Sequence, residues 1–435
     1  MKWSVFIFKF DVDLEVVLFN TKNTGIVAID IDKYDDISIA LDDPSHALKY
    51  LDEFNQLVEL GFIVDSGIDE YNDFFKSVLD SRENDTALSV ALMPTTNCNF
   101  TCKYCYEDGI QKTIYMSETV ANAFISYIKK YVCDNNIKSI DVTLYGGEPT
   151  LSWEIAIDTL TKLKQVCLDA KIELYTSIIT NGYLFDKQKV LDLLPFNFSS
   201  AQITLDGTKE FHDVRRQTTD QLPTFDVIMN NLHDLVQISE SITVSIRVNC
   251  DSENIKSVPD LAEYITTNFK GKRVFLNFGY IFQHLGKSET INQDDPKTSD
   301  TMMSENSFIE QLPQLYKILS KFGIRIPEFY SFDNFCMAKS KHSFTLHPSG
   351  DIYKCISEAG RTKCKFGNIF KDSSVGSYFQ ENLYKDCIAK MCCFLPLCHT
   401  GCPYHAQVKY GDASRVFCRR KQLEDINIRF IIENM

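Results

Sequence analysis

Read for hydrophobic period alone, the chain divides into stretches of different character. Residues 4 to 30 follow a strand pattern, "SVFIFKFDVD" and then "EVVLFNTKNTGIVAID", with turn chemistry at Asn23 to Gly25. A helical spacing takes over in "SHALKYLDEFNQLVELGFIV", which sets Leu48, Leu51, Phe54, Leu57 and Leu60 on one face and offers Gly61 as a C-cap before another short strand. From residue 88 six apolar runs appear: "ALSVALM", "SIDVTLY", "KIELYTSII", "AQITLD", "TVSIRV" and "RVFLNFGY". Helical segments separate most of them, as in "SETVANAFISYIKKYV", where Ser117 is the N-cap and Val120, Phe124, Ile128 and Tyr131 share a face. This alternation predicts an α/β fold with a parallel sheet, either open and doubly wound or curved into a partial barrel.

Residues 285 to 307 break the pattern with a long polar run that reads as a loop and a candidate lid. Beyond Phe335 the composition shifts, with nine of the fifteen cysteines lying between 336 and 418. The boundaries so drawn are 1–87, 88–300, 301–335 and 336–435. At 435 residues there is room for two or three domains with a real core. No apolar run is long enough to span a membrane, and the N-terminus acquires acids where a signal peptide stays apolar. Fifteen cysteines then point to a reducing, cytoplasmic setting in which thiols serve as metal ligands. Of the net charge of -14, most sits in residues 1–87, with seven Lys and Arg against nineteen Asp and Glu. So acidic a segment repels phosphate backbones and argues against a nucleic-acid role; it is either a solvated surface or a docking face for a basic partner.

The candidate chemistry begins at "CNFTCKYCY", where Cys98, Cys102 and Cys105 form a C-x3-C-x2-C triplet after the first strand of the alternation. Structural zinc takes four ligands, so a zinc reading must recruit a distant cysteine. A [4Fe-4S] cube held by three thiolates leaves one iron open as a binding site. The other strand ends carry polar or glycine-rich segments in register with it: Gly146-Gly147-Glu148-Pro149, Thr180-Asn181-Gly182, Thr204-Leu205-Asp206-Gly207 and Arg247-Val248-Asn249. Ligands collect beyond the C-terminal ends of strands in such architectures.

The triplet with Tyr104 before its last cysteine, followed by "GGEP", "TNG" and "LDG", resembles the radical SAM superfamily. The resemblance implies a partial (β/α)6 barrel over 88–300. Cys98, Cys102 and Cys105 would hold the cluster whose open iron chelates S-adenosylmethionine. Gly146, Gly147, Glu148 and Pro149 match the segment that binds the methionine amino group. Thr180, Asn181, Thr204, Asp206, Arg215 and Arg247 stand as further cofactor-binding positions, with Thr204 where the family often has Ser and Arg215 as a carboxylate partner. One electron from the cluster would cleave the cofactor to a 5'-deoxyadenosyl radical, which needs a dry, enclosed site.

The C-terminal cysteines resemble the SPASM extension of peptide-modifying radical SAM enzymes: Cys336-x13-Gly350-x4-Cys355, then Cys387-x4-Cys392-x5-Cys398-x3-Cys402, then Cys418. By that resemblance two auxiliary [4Fe-4S] clusters occupy 336–435, making three in all. Cys336, Cys355 and Cys402 would hold the first, with Cys364 or Cys393 completing it or an iron left open; Cys387, Cys392, Cys398 and Cys418 would hold the second. Cys387 departs from the family's C-x2-C spacing, which makes Cys393 an alternative there. Zinc-ribbon binding is the competing reading of these spacings. Gly350, in "HPSGD", reads as a hairpin turn. Cys133, Cys167 and Cys250 lie on apolar stretches and are expected to be buried small hydrophobes.

Within the superfamily two groups compete. Anaerobic sulfatase maturases, which oxidise Cys or Ser to formylglycine, carry an Asp after the cysteine of G-x4-C; here it is Ile356. Ribosomal-peptide maturases commonly add an N-terminal winged-helix-like recognition module that takes a leader peptide as an extra strand, and residues 1–87 fit its size and pattern. The expectation is a cytoplasmic peptide maturase installing a thioether, C-C or C-O crosslink in a precursor peptide. Residues 301–335 would bridge core and SPASM domain, and flavodoxin or ferredoxin would supply electrons. No nucleic acid or membrane partner is expected. The non-enzyme alternative is an iron-sulfur or zinc protein that binds or carries electrons. No catalytic acid or base is assigned, although Glu358, Asp351, Asp206 and Arg247 are the ionisable groups at hand.

Overall fold

The computed structural model describes residues 1–107, 113–281, 302–322, 336–371 and 375–434. Residues 285–301 of the expected polar loop, and 323–335 of the expected bridge, lie outside them. Contacts group the chain into two compact units: residues 1–84 with 379–435, and residues 85–327 with 336–378.

In the first unit β1 (Lys2–Trp3) pairs with β5 (Ile63–Val64), while β2 (Ile7–Val12), β3 (Glu15–Asn20) and β4 (Ile26–Asp30) form an antiparallel sheet in that order. Helices α1 (Ile31–Asp42), α2 (Leu51–Glu59) and α3 (Glu70–Glu83) accompany it. The pattern showed α2 and the strands but neither α1 nor α3, whose acidic, weakly periodic sequences read as surface. Of the expected apolar face of α2, Leu57 is buried, yet Leu51 and Leu60 are 57% and 51% exposed. Gly61 does cap that helix in the left-handed region, at φ 75°. The buried Glu70 fastens the N-terminal strand to α3, accepting hydrogen bonds from Ser4 Oγ at 2.7 Å and the Val5 amide at 2.8 Å.

The second unit is built on a parallel sheet. Strands β6 (Ala87–Leu92), β7 (Ser139–Leu144), β8 (Glu173–Thr180), β9 (Phe198–Thr204), β10 (Thr243–Cys250) and β11 (Val274–Tyr280) lie side by side in chain order. All six coincide with the apolar runs of the sequence. Helices α4 (Glu118–Asp134), α5 (Trp153–Ala170), α6 (Lys187–Leu193), α7 (Lys209–Arg215), α8 (Phe225–Ile238) and α9 (Val258–Asn268) connect them, and α10 (Glu305–Lys321) follows. Ser117 caps α4 by accepting from the Val120 amide at 3.3 Å. Strand order without reversal is that of a partial barrel rather than a doubly wound sheet. Beyond β6 the sheet continues through β12 (Ser343–Leu346), parallel to it, and the antiparallel β13 (Asp351–Tyr353) and β14 (Gly367–Asn368). Gly350 makes the β12–β13 turn at φ 85°.

Back in the first unit, α11 (Glu381–Ala389), α12 (Leu395–Cys398), α13 (Pro403–Tyr410) and α14 (Arg420–Asn434) complete the chain. They share a core with the N-terminal sheet: Val17 and Phe19 of β3 pack with Cys393, Phe394, Leu397 and Ile431. A second cluster joins Phe6, Tyr71, Phe74 and Val78 to Tyr384 and Leu395. Cys167 and Cys250 are buried as expected; Cys133 is exposed, because the last turn of α4 carries it away from the sheet.

Removing the Glu70 carboxylate strands two donors on β1's flank. Glu70→Ala is expected to lower unfolding free energy by about 1.5–3 kcal/mol, the range for hydrogen bonds to charged groups, and Glu70→Gln by less, read from urea midpoints of the full chain.

Candidate functional site

The strand-end segments singled out in the sequence all stand at the C-terminal edge of the parallel sheet. Tyr145 follows β7 and donates its amide to Leu92 O, so the two glycines after it run against the loop leaving β6. Gly147 N donates to Thr95 O at 3.3 Å, and Glu148 N to Asn97 O at 2.8 Å. A Cβ on Gly147 would stand 2.3 Å from Asn97 O and 2.5 Å from Thr96 O, and one on Gly146 would stand 2.2 Å from Thr95 O. The glycines therefore seat the loop that carries Cys98.

Glu148 is fully buried, and its carboxylate accepts from the Thr150 amide and hydroxyl, from Thr180 Oγ1 at 2.7 Å and from the Asn181 amide at 2.8 Å. Burial nevertheless raises its pKa, outweighing those donors. Asn181 continues the chain of contacts: its Nδ2 donates to Asn99 Oδ1 at 2.8 Å and lies 4.0 Å from Cys98 Sγ. Behind the triplet, Thr101 N and Thr219 N bond to Gln217 O and Asn99 O, tying the loop to the segment after α7.

A second knot centres on Asp206, also fully buried. It accepts from the Asn249 amide at 3.0 Å and from the Tyr104 hydroxyl, which in turn receives Arg216 Nη1 at 2.5 Å and Asn249 Nδ2 at 3.3 Å. Arg215 lies over the Tyr104 ring at 5.3 Å and pairs with Asp251 at 2.5 Å. His212 is buried and neutral, pushed well below its usual range by burial and then by Arg216 and Arg215; Nδ1 accepts the Asp206 amide and Nε2 meets Thr224 Oγ1. Arg247 is held by Asn249 Oδ1, Asn277 Oδ1 and Phe278 O, and lies across Gly279, where a Cβ would stand 1.5 Å from its Nη2. Thr204 ends β9, opposite Arg247 in register. Arg216, Asp251, Asn277 and Gly279 were not among the candidate residues; the glycine inside the strand run "LNFGY" was the one available signal.

The thiols gather in two places. Burial pushes Cys98 up to about 12, with Glu148 and then Cys102 and Cys105 adding to it; Cys102 is raised by burial too. Tyr145 is raised by burial and then by Cys105, Cys355 and Cys98, so it senses thiols of both groups, and Cys364 packs in the same cluster as Tyr145 and Tyr353. In the first unit Cys387 is pushed up to about 12 by burial and then by Cys392, Cys398 and Cys418, so those four are neighbours. Cys393 turns instead into the core. The unusual Cys387-x4-Cys392 spacing has a local cause: Met391 adopts φ 48°, Met391 N bonds Ile388 O and Cys392 N bonds Cys387 O, a Schellman ending of α11 that folds one cysteine back on the other. Cys402 lies in this unit, while Cys336, which is exposed, and Cys355 lie in the other. Glu358, fully buried after Cys355, is pushed up to about 7 by burial against Tyr378, the Cys355 amide, Arg361 and Lys354. Asp351 is lowered by Lys365, Asn368 and Ser349 against the opposing effect of burial, the marks of a structural pair.

Residues 92–265 match the model of the radical SAM superfamily. That stretch is a domain of the radical SAM kind, and the relatives that share it are enzymes. The chain is 23% identical over 360 residues to a cysteine-type anaerobic sulfatase-maturating enzyme of Clostridium novyi, covering 76% of this chain and 92% of that protein. It is 28% identical over 195 residues to the radical SAM cyclopropyl synthase TigE of Paramaledivibacter caminithermalis, covering 38% of this chain and 40% of that protein. In fold it resembles Streptococcus suis SuiB bound to its precursor peptide SuiA, with a TM-score of 0.52 and 16% identity over 96% of this chain and 99% of that one. It is thus related in sequence to a sulfatase maturase and to a cyclopropyl synthase, and it shares its fold with SuiB.

A radical SAM domain takes S-adenosylmethionine and a [4Fe-4S] cluster, which together supply a hydrogen-abstracting radical. The residues present fit that group: three thiols crowd one strand end, and burial raises Cys98 and Cys102, the state that iron ligation relieves by displacing their protons. Among the described residues no three His, Cys, Asp or Glu side chains converge on a single ion; a four-iron cube, with each thiolate on its own iron, asks for less convergence. No helix among them is long and apolar enough to cross a membrane.

The carbonyls that a Gly147 Cβ would meet belong to backbone and cannot swing away. Gly147→Ala is expected to displace the Cys98 loop, removing about four irons per chain and S-adenosylmethionine binding, as read by iron assay and equilibrium dialysis.

Proposed function

We propose that this enzyme installs a crosslink in a ribosomally made precursor peptide, whose leader binds the N-terminal module. One observation carries the reading: β4 is an edge strand, bonded only to β3 among the described strands, and with α1 and α2 it lines a groove. Val27 and Ile29 of β4 face Leu57 and Leu60 across it, and Lys33, Glu53 and Asp30 form its rim. An extended peptide laid along β4 would take up the open backbone groups and cover Leu60, which otherwise stands exposed. SuiB, seen with its precursor peptide, supports the assignment, since the likeness covers nearly the whole chain.

Within the barrel, Cys98, Cys102 and Cys105 hold the cluster that engages the cofactor. Glu148, Thr180 and Asn181 fix their loop, and Arg247, Thr204, Asp206 and Arg215 border the cofactor's side of the strand ends. Cys387, Cys392, Cys398 and Cys418 hold one auxiliary cluster. Of the ligands expected for the other, Cys336 and Cys355 share the second unit, where Cys364 is a better further ligand than the core-facing Cys393 of the first. Residues 1–87 are then the recognition module, 88–300 the catalytic core, 301–335 a bridge and 336–435 the SPASM region, in a cytoplasmic enzyme served by a flavodoxin or ferredoxin.

Formylglycine formation is the second reading, favoured by the Clostridium novyi relative. Against it, Ile356, the residue after Cys355, packs beside Tyr145, Tyr353 and Cys364, an apolar neighbour where that reaction's Asp would stand.

Anaerobic reconstitution tests the reading. The wild type is expected to hold about twelve irons and to form 5'-deoxyadenosine. The Cys98/Cys102/Cys105→Ala triple variant is expected to keep about eight irons and to form none. A precursor peptide losing two hydrogens in mass identifies the crosslink; bound zinc in place of iron, or conversion of cysteine to an aldehyde, sinks the proposal. Val27→Glu with Leu60→Glu is expected to weaken leader binding at least about ten-fold, some 1.4 kcal/mol, by fluorescence anisotropy, while cofactor cleavage without peptide continues.

A further inference from the structure

From Val16 to Asn20 every residue of β3 is buried, so the strand is covered on both faces. Side chains alternate across a strand, and here the two faces meet different neighbours. Val16 and Leu18 pack with Ile29 and Leu57, which line the groove beside β4. Val17 and Phe19 pack with Phe394 and Leu397, which stand between Cys392 and Cys398 in the chain.

Hydrogen bonds at the end of the strand repeat that division. Asn20 Nδ2 donates to Gly61 O at 2.9 Å and Asn23 Nδ2 to Leu60 O at 2.9 Å, which fixes the lip of the groove at the end of α2. Between these two asparagines the buried Thr21 hydroxyl donates to the carbonyl of Cys393, the residue after Cys392. One short turn therefore holds the groove and the thiol loop together. The loop it holds is strained: Met391 and His399, at φ 48° and 45°, bracket Phe394 and Leu397. Relaxation at either residue moves the side chains on which β3 rests.

We propose that iron ligation at Cys387, Cys392, Cys398 and Cys418 sets the peptide-recognition groove: the thiol loop, once closed on its cluster, backs β3 and gives β4 and α2 the spacing that receives the leader. The inference rests on the crosslinking function proposed above. Precursor is then captured by enzyme that is already loaded and passed over by enzyme that could not process it. Such coupling is reciprocal, so bound leader holds iron at these thiols more tightly by the same factor. Its physical carrier is one packed strand whose two faces touch the two sites, with the turn after it bonded to both.

Hydrogen exchange of the full-length protein, read by mass spectrometry under anaerobic conditions, tests the coupling with no peptide present. Reconstitution with iron and sulfide is expected to slow exchange in residues 15–30 and 51–64 at least about ten-fold relative to the iron-free chain. The Cys98/Cys102/Cys105→Ala triple variant is expected to show the same slowing, and Cys392→Ser/Cys398→Ser, which still loads its other centres, to show none. Thr21→Val is expected to keep its iron while the slowing shrinks. Equal exchange with and without iron, or slowing that survives in Cys392→Ser/Cys398→Ser, overturns the proposal. Failure of the crosslinking reading shows separately: a fluorescein-labelled leader that binds neither loaded nor iron-free enzyme sinks that reading, while the exchange result still decides this one.

Discussion

The arrangement at the barrel's edge depends on one buried carboxylate. Glu148 stands on the segment after β7, accepts hydrogen bonds from the segment after β8, and through its own amide holds Asn97 in the loop after β6. Three consecutive strand ends are thereby fixed relative to one another. A carboxylate withdrawn from water incurs a penalty of several kcal/mol, and four donors at about 1.5–3 kcal/mol each offset it only in part, since the net effect on the acid is a raised pKa. Glu148 is therefore a poor device for stability. Its value lies in direction: no apolar residue could hold Thr180, Asn181 and the Cys98 loop in one register. Gly146 and Gly147 follow from the same constraint, because side chains there would hold the loop off.

Asp206 repeats the device on the next strands, gathering Tyr104, Asn249 and the two arginines. Between them the two acids tie Cys98 from one side and Tyr104, two residues after Cys102, from the other. The triplet thus hangs between two buried carboxyl groups. The aromatic residue inside the cysteine motif belongs to the scaffold as much as to any ligand, since its hydroxyl is engaged by Asp206, Arg216 and Asn249.

The barrel strands were legible in the sequence because apolar residues recur at every second position, the positions that are buried in β7, β8 and β10, and all six runs were found, although the runs alone left a doubly wound order open. The strand-end motifs were legible as punctuation, and the structure brings them to one edge. What escaped was pairwise: that Arg247 crosses Gly279, that His212 receives the Asp206 amide, that Arg215 faces Asp251. Those contacts join residues tens of positions apart and leave no period. The first unit was less legible for a different reason. Its acidic helices α1 and α3 carry few apolar positions, and its core is completed by Phe394 and Leu397 from the far end of the chain. Cys133 shows the opposite error: an apolar neighbourhood in sequence says nothing about which side of a helix a residue takes.

Left-handed residues divide the two thiol centres further. At the barrel edge the positive φ angles fall on Gly146, Gly182 and Gly207, where they cost little. Around the second group of thiols they fall on Met391 at 48°, His399 at 45° and Thr400 at 70° before Gly401 at 81°. Side-chain residues held there cost about 1–3 kcal/mol each, so this loop carries several kcal/mol of strain that its short helices α12 and α13 do little to repay. Metal ligation is the force of the right size: binding free energy at a site that does not exist in the unfolded chain is folding free energy. The barrel edge, prearranged by glycines and buried acids, can be formed before iron arrives. In the Cys387–Cys418 loop, ligation of the proposed cluster would offset that strain, and the Schellman turn at Met391 is where the chain bends Cys392 back toward Cys387.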